Sequence, residues 1–203
     1  MLGINKVIRT LILSDFFLLA AWGLVTPILA IFIIDKIQGG DAEVVGMAIG
    51  IYWISKSLIQ IPIGKYLDKN HGEKDDYYFL VFGTLIASLT SLGFIFATLP
   101  WHIYILQLVH ALGMAMAIPA WGGIFTRHID KGKEAMTWGV ESSSIGIGAG
   151  IAGIVGGIVA KNFGFIPLFI GVTSLGVISV LLFLLIKDDL VLKGKTVPFT
   201  KPE

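Results

Sequence analysis

Long runs of apolar residues, divided by short clusters of charge, set the pattern of this chain. Six runs stand at 7–34, 44–67, 77–99, 102–125, 135–160 and 165–186, each at least as long as the roughly 20 helical residues that cross a bilayer core. The pattern predicts an all-α membrane protein: a bundle of six transmembrane helices over residues 1–187, followed by a polar tail at 188–203. Two connections, 98–101 and 161–164, are barely turns, so consecutive helices are expected to be antiparallel neighbours. Lys6 and Arg9 ahead of the first run imitate a signal peptide, but the run is too long for such a segment and reads as an uncleaved span.

Charge gives this bundle a direction. Lys6, Arg9, Lys65, Lys69, Lys74, Arg127, Lys131, Lys133, Lys187, Lys193, Lys195 and Lys201 all fall on one face of a six-crossing arrangement, whereas Lys36 and Lys161 fall on the other. The richer face is expected to be cytoplasmic, with both termini on it, in a cell membrane. Asp75 and Asp76 suit helix N-caps before the third span, and Asp130 and Glu134 favour the start of the fifth. With 55% hydrophobic and 14% charged residues and a mean hydropathy of +0.85, little chain is left for a soluble catalytic domain. The absence of cysteine removes disulfides, thiolate metal sites and cysteine nucleophiles, and a net charge of +1 offers nucleic acid no electrostatic footprint. No cofactor and no metal are expected, and the partners are the lipid bilayer and a small-molecule solute.

The loop between the second and third spans reads Gly64-Lys65-Tyr66-Leu67-Asp68-Lys69-Asn70-His71-Gly72-Glu73-Lys74. It resembles the loop motif G-x-x-x-D-[RK]-x-G-[RK]-[RK] of the major facilitator superfamily, with Gly64, Asp68 and Lys69 in register. Gly72 comes one residue late, and Glu73 stands where a basic residue is usual. Span five carries Gly139, Gly148, Ala152, Gly153, Gly156 and Gly157, which resembles the family's G-x8-G-x3-G-P-x-x-G-G pattern with alanine for one glycine and glycine for the proline. Small residues at such spacing also serve ordinary close helix packing. In span four the arginine of many proton-coupled members is replaced by Val109, four residues before Gly113, and His110 is the nearest basic group.

The resemblance covers the chain but only the N-terminal six-helix half of a typical twelve-helix member. It implies a bundle of two three-helix repeats in which spans one, two, four and five line a cavity while three and six face lipid. Thr26-Pro27 and Ile118-Pro119, at similar depths in spans one and four, are a faint internal echo of such repeats. It also implies pairing with a second six-helix half, or a homodimer about an axis along the membrane normal, with Gly64 and Asp68 of one unit near Glu134 and Ala135 of the other.

Ionisable groups inside spans cost about 2.5 to 3.5 kcal/mol each, so they tend to face one another or a cavity. Asp15, Lys56, His110 and Glu141 are such groups, and all four fall on the implied cavity helices. Trp22 shares a helical stripe with Asp15, Gln60 shares a face with Lys56, and Gln107 flanks His110, which completes the candidates for solute or ion coupling. Spans three and six carry only Ser and Thr in their interiors. The leading expectation is a secondary transporter working by alternating access as a dimer of six-helix units. The alternatives are a non-transporting half or accessory subunit and, further off, an intramembrane enzyme. Ser142, Ser143 and Ser144 show no nucleophile motif and span six has no histidine, so no catalytic residue is assigned.

Overall fold

The computed structural model describes residues 4–69 and 73–190; Gly72 of the loop motif and Lys193, Lys195 and Lys201 of the tail lie outside them. Seven helices follow in order: α1 (Lys6–Val25), α2 (Leu29–Lys36), α3 (Ala42–Lys69), α4 (Glu73–Phe94), α5 (Pro100–His128), α6 (Glu134–Phe163) and α7 (Phe165–Leu184). No strand occurs among the described residues. Helices α1 and α2 are two pieces of one crossing, Lys6–Lys36, and the other five are each long and apolar enough to cross once. The break lies at Pro27, which has no N–H to donate and crowds the turn before it. There the Trp22 carbonyl takes both the Thr26 N–H at 2.8 Å and the Thr26 hydroxyl at 2.7 Å. Pro119 and Pro62, by contrast, sit inside continuous α5 and α3, so the two proline sites of the expected echo differ in outcome.

Helix α4 lies between α5 and α7, and α7 packs on α1. Helix α3 is added outside α5, and α6 outside α1. Close backbone approach decides the α4–α5 crossing. A Cβ on Gly83 would stand 2.6 Å from the Gly113 carbonyl, and one on Gly113 would stand 2.7 Å from the Ala87 nitrogen. The hydroxyls of α4 and α7 do more than bond their own helices. Ser91 Oγ and Thr173 Oγ1 meet at 2.5 Å, and Ser91 Oγ donates to the Phe169 carbonyl at 3.1 Å, which ties the two helices together.

Lys6, Arg127 and His128 lie at one end. There Asn5 Nδ2 donates to the His128 carbonyl at 2.6 Å, and Lys6 pairs with Asp189 at 2.6 Å. Asp75 and Asp76 lie inside the first turn of α4 rather than capping it, which corrects the expectation drawn from the sequence. Asp76 is buried there and ion-paired with Arg127 from the end of α5. Arg127 Nε also reaches Glu73 at 3.1 Å, and His128 stands 3.3 Å from the same carboxylate. Two acids and a guanidinium thus pin the start of α4 to the end of α5. At α6, Glu134 lies in the first turn and accepts from the Gly132 N–H at 3.1 Å, Asp130 pairs with Lys133, and no side chain caps the helix. Span three ends earlier than its apolar run, at Phe94, because residues 95–97 close as tight turns onto Leu92, Gly93 and Phe94. The next helix starts on Pro100, with His102 Nδ1 accepting from the Thr98 N–H at 3.1 Å.

Candidate functional site

Helix α5 carries His110 at mid-length on the side facing α1 and α3, where an imidazole meets two aromatic rings. Trp22 of α1 stacks on it at 3.6 Å between centroids with 14° between planes, and Tyr52 of α3 stacks at 4.6 Å and 22°. Three helices are joined by one three-ring stack. Both ring nitrogens of His110 and the Trp22 Nε1 are buried with no hydrogen-bond partner among the described residues. Orphaned polar groups of this kind carry a desolvation cost of about 1 to 3 kcal/mol each, which a structural core normally avoids.

Lys56 lies one turn beyond Tyr52 on α3, near the helix centre, and only 9% of its surface is exposed. Its ammonium sits 4.2 Å from the Trp53 ring centroid and 5.9 Å from that of Tyr52, close enough for cation–π attraction. It makes no ion pair among the described residues. Gln60, a further turn along, keeps its Oε1 buried and unpaired, and Gln107 is buried one turn before His110. The sequence candidates Trp22, Lys56 and His110 therefore converge, with Gln60 and Gln107 on the adjoining turns of the same helices.

Asp15 and Glu141 form a second group. Asp15 of α1 and Glu141 of α6 lie near enough for their carboxyl groups to interact. Two neighbouring carboxylates repel when both are ionised, and a proton on one would let it donate to the other. Asp15 precedes Trp22 by two turns, so the carboxyl pair stands about 10 Å along α1 from the ring stack. Tyr52 and Trp53 are absent from the sequence candidates, although their position four and three residues before Lys56 is a legible sign.

The motif glycines divide between two faces. On α6, Gly148 meets the Phe16 ring, where a Cβ would stand 2.9 Å away, and Gly156 lies against the Leu24 carbonyl. Gly139, Gly153 and Gly157 face open space, together with Gly146 and Gly150. On α3, Gly64 leaves ordinary room beside Pro119, and Asp68 and Lys69 are exposed at the helix end.

Against known proteins, the family model for the Major Facilitator Superfamily matches residues 11–201. The uncharacterized MFS-type transporter MJ1560 of Methanocaldococcus jannaschii is 23% identical over 188 residues, which is 93% of this chain and 47% of the relative. The POT family transporter PepTSo, solved by in meso crystallography, superposes with a TM-score of 0.71 at 16% identity. That superposition covers 92% of this chain and 38% of the solved one, so the chain spans less than half the length of either protein.

Proposed function

The chain belongs to the major facilitator superfamily, and on that premise we propose that it moves a small solute across the membrane as a secondary transporter by alternating access. One observation carries this reading. The four acidic or basic groups deep within the membrane-crossing helices, Asp15, Lys56, His110 and Glu141, all lie on α1, α3, α5 and α6. The interiors of α4 and α7 hold hydroxyls instead, among them Ser88, Ser91 and Thr173, which bond to helix carbonyls or to each other. Burial of charge is too costly to be distributed this way by accident of packing alone. Trp22, Lys56, Gln60, Gln107 and His110 form the solute side of the site, and the Asp15–Glu141 pair holds the coupling proton.

A second six-helix unit, a second copy of this chain or another, completes the cavity. Helices α3 and α6 favour this because they leave most of their surface uncovered, including Leu58 at 67% and Ile154 at 68% exposure. The open glycines of α6 would let a partner helix approach closely. Both termini face the cytoplasm and the protein resides in the cell membrane, by the basic asymmetry of its two faces.

The test is transport by the reconstituted chain. Liposomes bearing it are placed in a mixture of small metabolites under an imposed proton gradient, and their contents are read by mass spectrometry. At least one solute is expected to enter faster than into protein-free liposomes. No such solute under either gradient direction would overturn the transport reading.

A further inference from the structure

Lys56 presents an unusual problem of charge. It is a buried ammonium at the middle of a membrane-crossing helix, and no carboxylate answers it among the described residues. The acids within the other crossings, Asp15 and Glu141, lie near each other and make no ion pair with Lys56 among the described residues. Of the unpaired groups on α1, α3 and α5 two are donors, while Gln60 Oε1 and the second His110 nitrogen are acceptors. The Trp22 Nε1–H can only donate, and a neutral imidazole donates from one nitrogen, so two further donors are buried without acceptors in the ring stack that Tyr52 links to Lys56. Tyr52 holds these groups in one neighbourhood, since its ring stacks on His110 and lies 5.9 Å from the Lys56 ammonium.

We propose that Lys56, together with the unpaired N–H groups of Trp22 and His110, binds a small organic monoanion bearing a carboxylate. This deepens the transport reading by naming the solute class, and rests on that reading for how the anion reaches and leaves the site. A carboxylate supplies the missing charge and two acceptor oxygens at once. A dianion such as hydrogen phosphate would bring a second charge into a membrane interior that offers it no cation, and a cation or a neutral solute would leave Lys56 unanswered. The way in runs past Trp53, whose ring covers the ammonium on one side and is itself 55% exposed. On binding, the ammonium exchanges the weak attraction of that ring for a charge-assisted hydrogen bond.

The test is equilibrium binding to the full chain in lipid nanodiscs, with radiolabelled lactate, pyruvate and benzoate as probes and lactamide and benzamide as neutral counterparts. At least one carboxylate is expected to bind and to be displaced by the other acids but not by the amides. Lys56→Met should weaken it roughly tenfold to a hundredfold, the loss expected for one hydrogen bond to a charged group. Lys56→Arg should retain most of the affinity, and His110→Phe, which keeps a ring in the stack, should weaken it severalfold. Unchanged elution and thermal unfolding of each variant exclude a folding defect. Equal binding of amide and acid, full affinity in Lys56→Met, or no binding of any of the three acids would overturn the proposal. Because binding is read without flux, the two readings fail separately. Carboxylate binding without transport sinks the transporter, whereas transport of a neutral solute without carboxylate binding sinks the anion site.

Discussion

At Gly156 a single added carbon would collide with the backbone carbonyl of Leu24, while the same carbon at Gly157 would meet nothing within 4 Å. Neighbouring glycines of one motif are thus under different constraints. Gly156→Ala should force α6 away from α1 and lower stability by about 1 to 3 kcal/mol, as overpacking does. Gly157→Ala should leave the unfolding of a single unit unchanged. Unfolding in a graded detergent mixture checks both, and equal losses at the two positions would contradict the packing described. Glu141 is a residue-scale question of chemistry. Glu141→Gln preserves the length and hydrogen-bonding capacity of the side chain but cannot lose a proton to solvent. Accumulation against a gradient should therefore fail while solute exchange at equilibrium persists, which counterflow measurements compare directly. Accumulation at the normal level would remove the pair from coupling.

Among the helices, the joint between α4 and α5 depends on two different devices. At mid-length Gly83 and Gly113 bring the backbones together, and at the basic end Arg127 answers Glu73 and Asp76. Those two acids are 6% and 2% exposed, while the arginine side chain remains 43% exposed. Removing the arginine leaves two buried carboxylates side by side. Arg127→Ala should cost about 3 kcal/mol, at the lower end for a broken buried pair because water already reaches the guanidinium. Thermal unfolding in nanodiscs measures this, and replacing Asp76 by Asn in the same chain should recover part of it. A loss that Asp76→Asn deepens would show that the acids do not repel. The helix break at Pro27, between α1 and α2, belongs to the first crossing, since Pro62 and Pro119 leave α3 and α5 continuous.

For the whole molecule the expected arrangement is two six-helix units, with the end of α3 in one against the start of α6 in the other. Asp68 would then lie at the N-terminus of a neighbouring helix, where a carboxylate stabilises the exposed N–H groups by about 0.3 to 1 kcal/mol. Glu134 at that same helix start opposes it, unless Lys69 or Lys133 stands between them. The chain has no cysteine, so single cysteines at Asp68 and Ala135 report without background. A short crosslinker should give strong dimer bands from the mixed pair in membranes, and monomer alone would mean that this chain does not pair with itself in that geometry. Orientation has its own check. A C-terminal tag should resist protease added outside intact cells, and its removal would reverse the topology.

Much of the architecture is legible in the order of the amino acids. Apolar runs longer than a bilayer core, divided by charge, permit only crossing helices, and short connections force neighbours to run antiparallel. The loop of Gly64, Asp68 and Lys69 and the small-residue pattern of span five point to the family because both are local patterns that survive in one dimension. Lys56, His110, Asp15 and Glu141 are visible as charges in the wrong solvent. Their partners are not. Whether Asp15 meets Glu141 depends on the rotation of α1 against α6, and whether His110 lies between Trp22 and Tyr52 depends on how three helices cross. Helical periodicity names a face but not what that face turns toward. The same limit hides the Arg127 pin, makes Asp76 look like a cap, and leaves the motif glycines undivided between α1 and open space. Sequence alone determined which residues could not be at ease in a membrane, because hydration energy is a property of each side chain. Tertiary structure decided which of them answer one another and which wait for something else, because that is a matter of distance between helices.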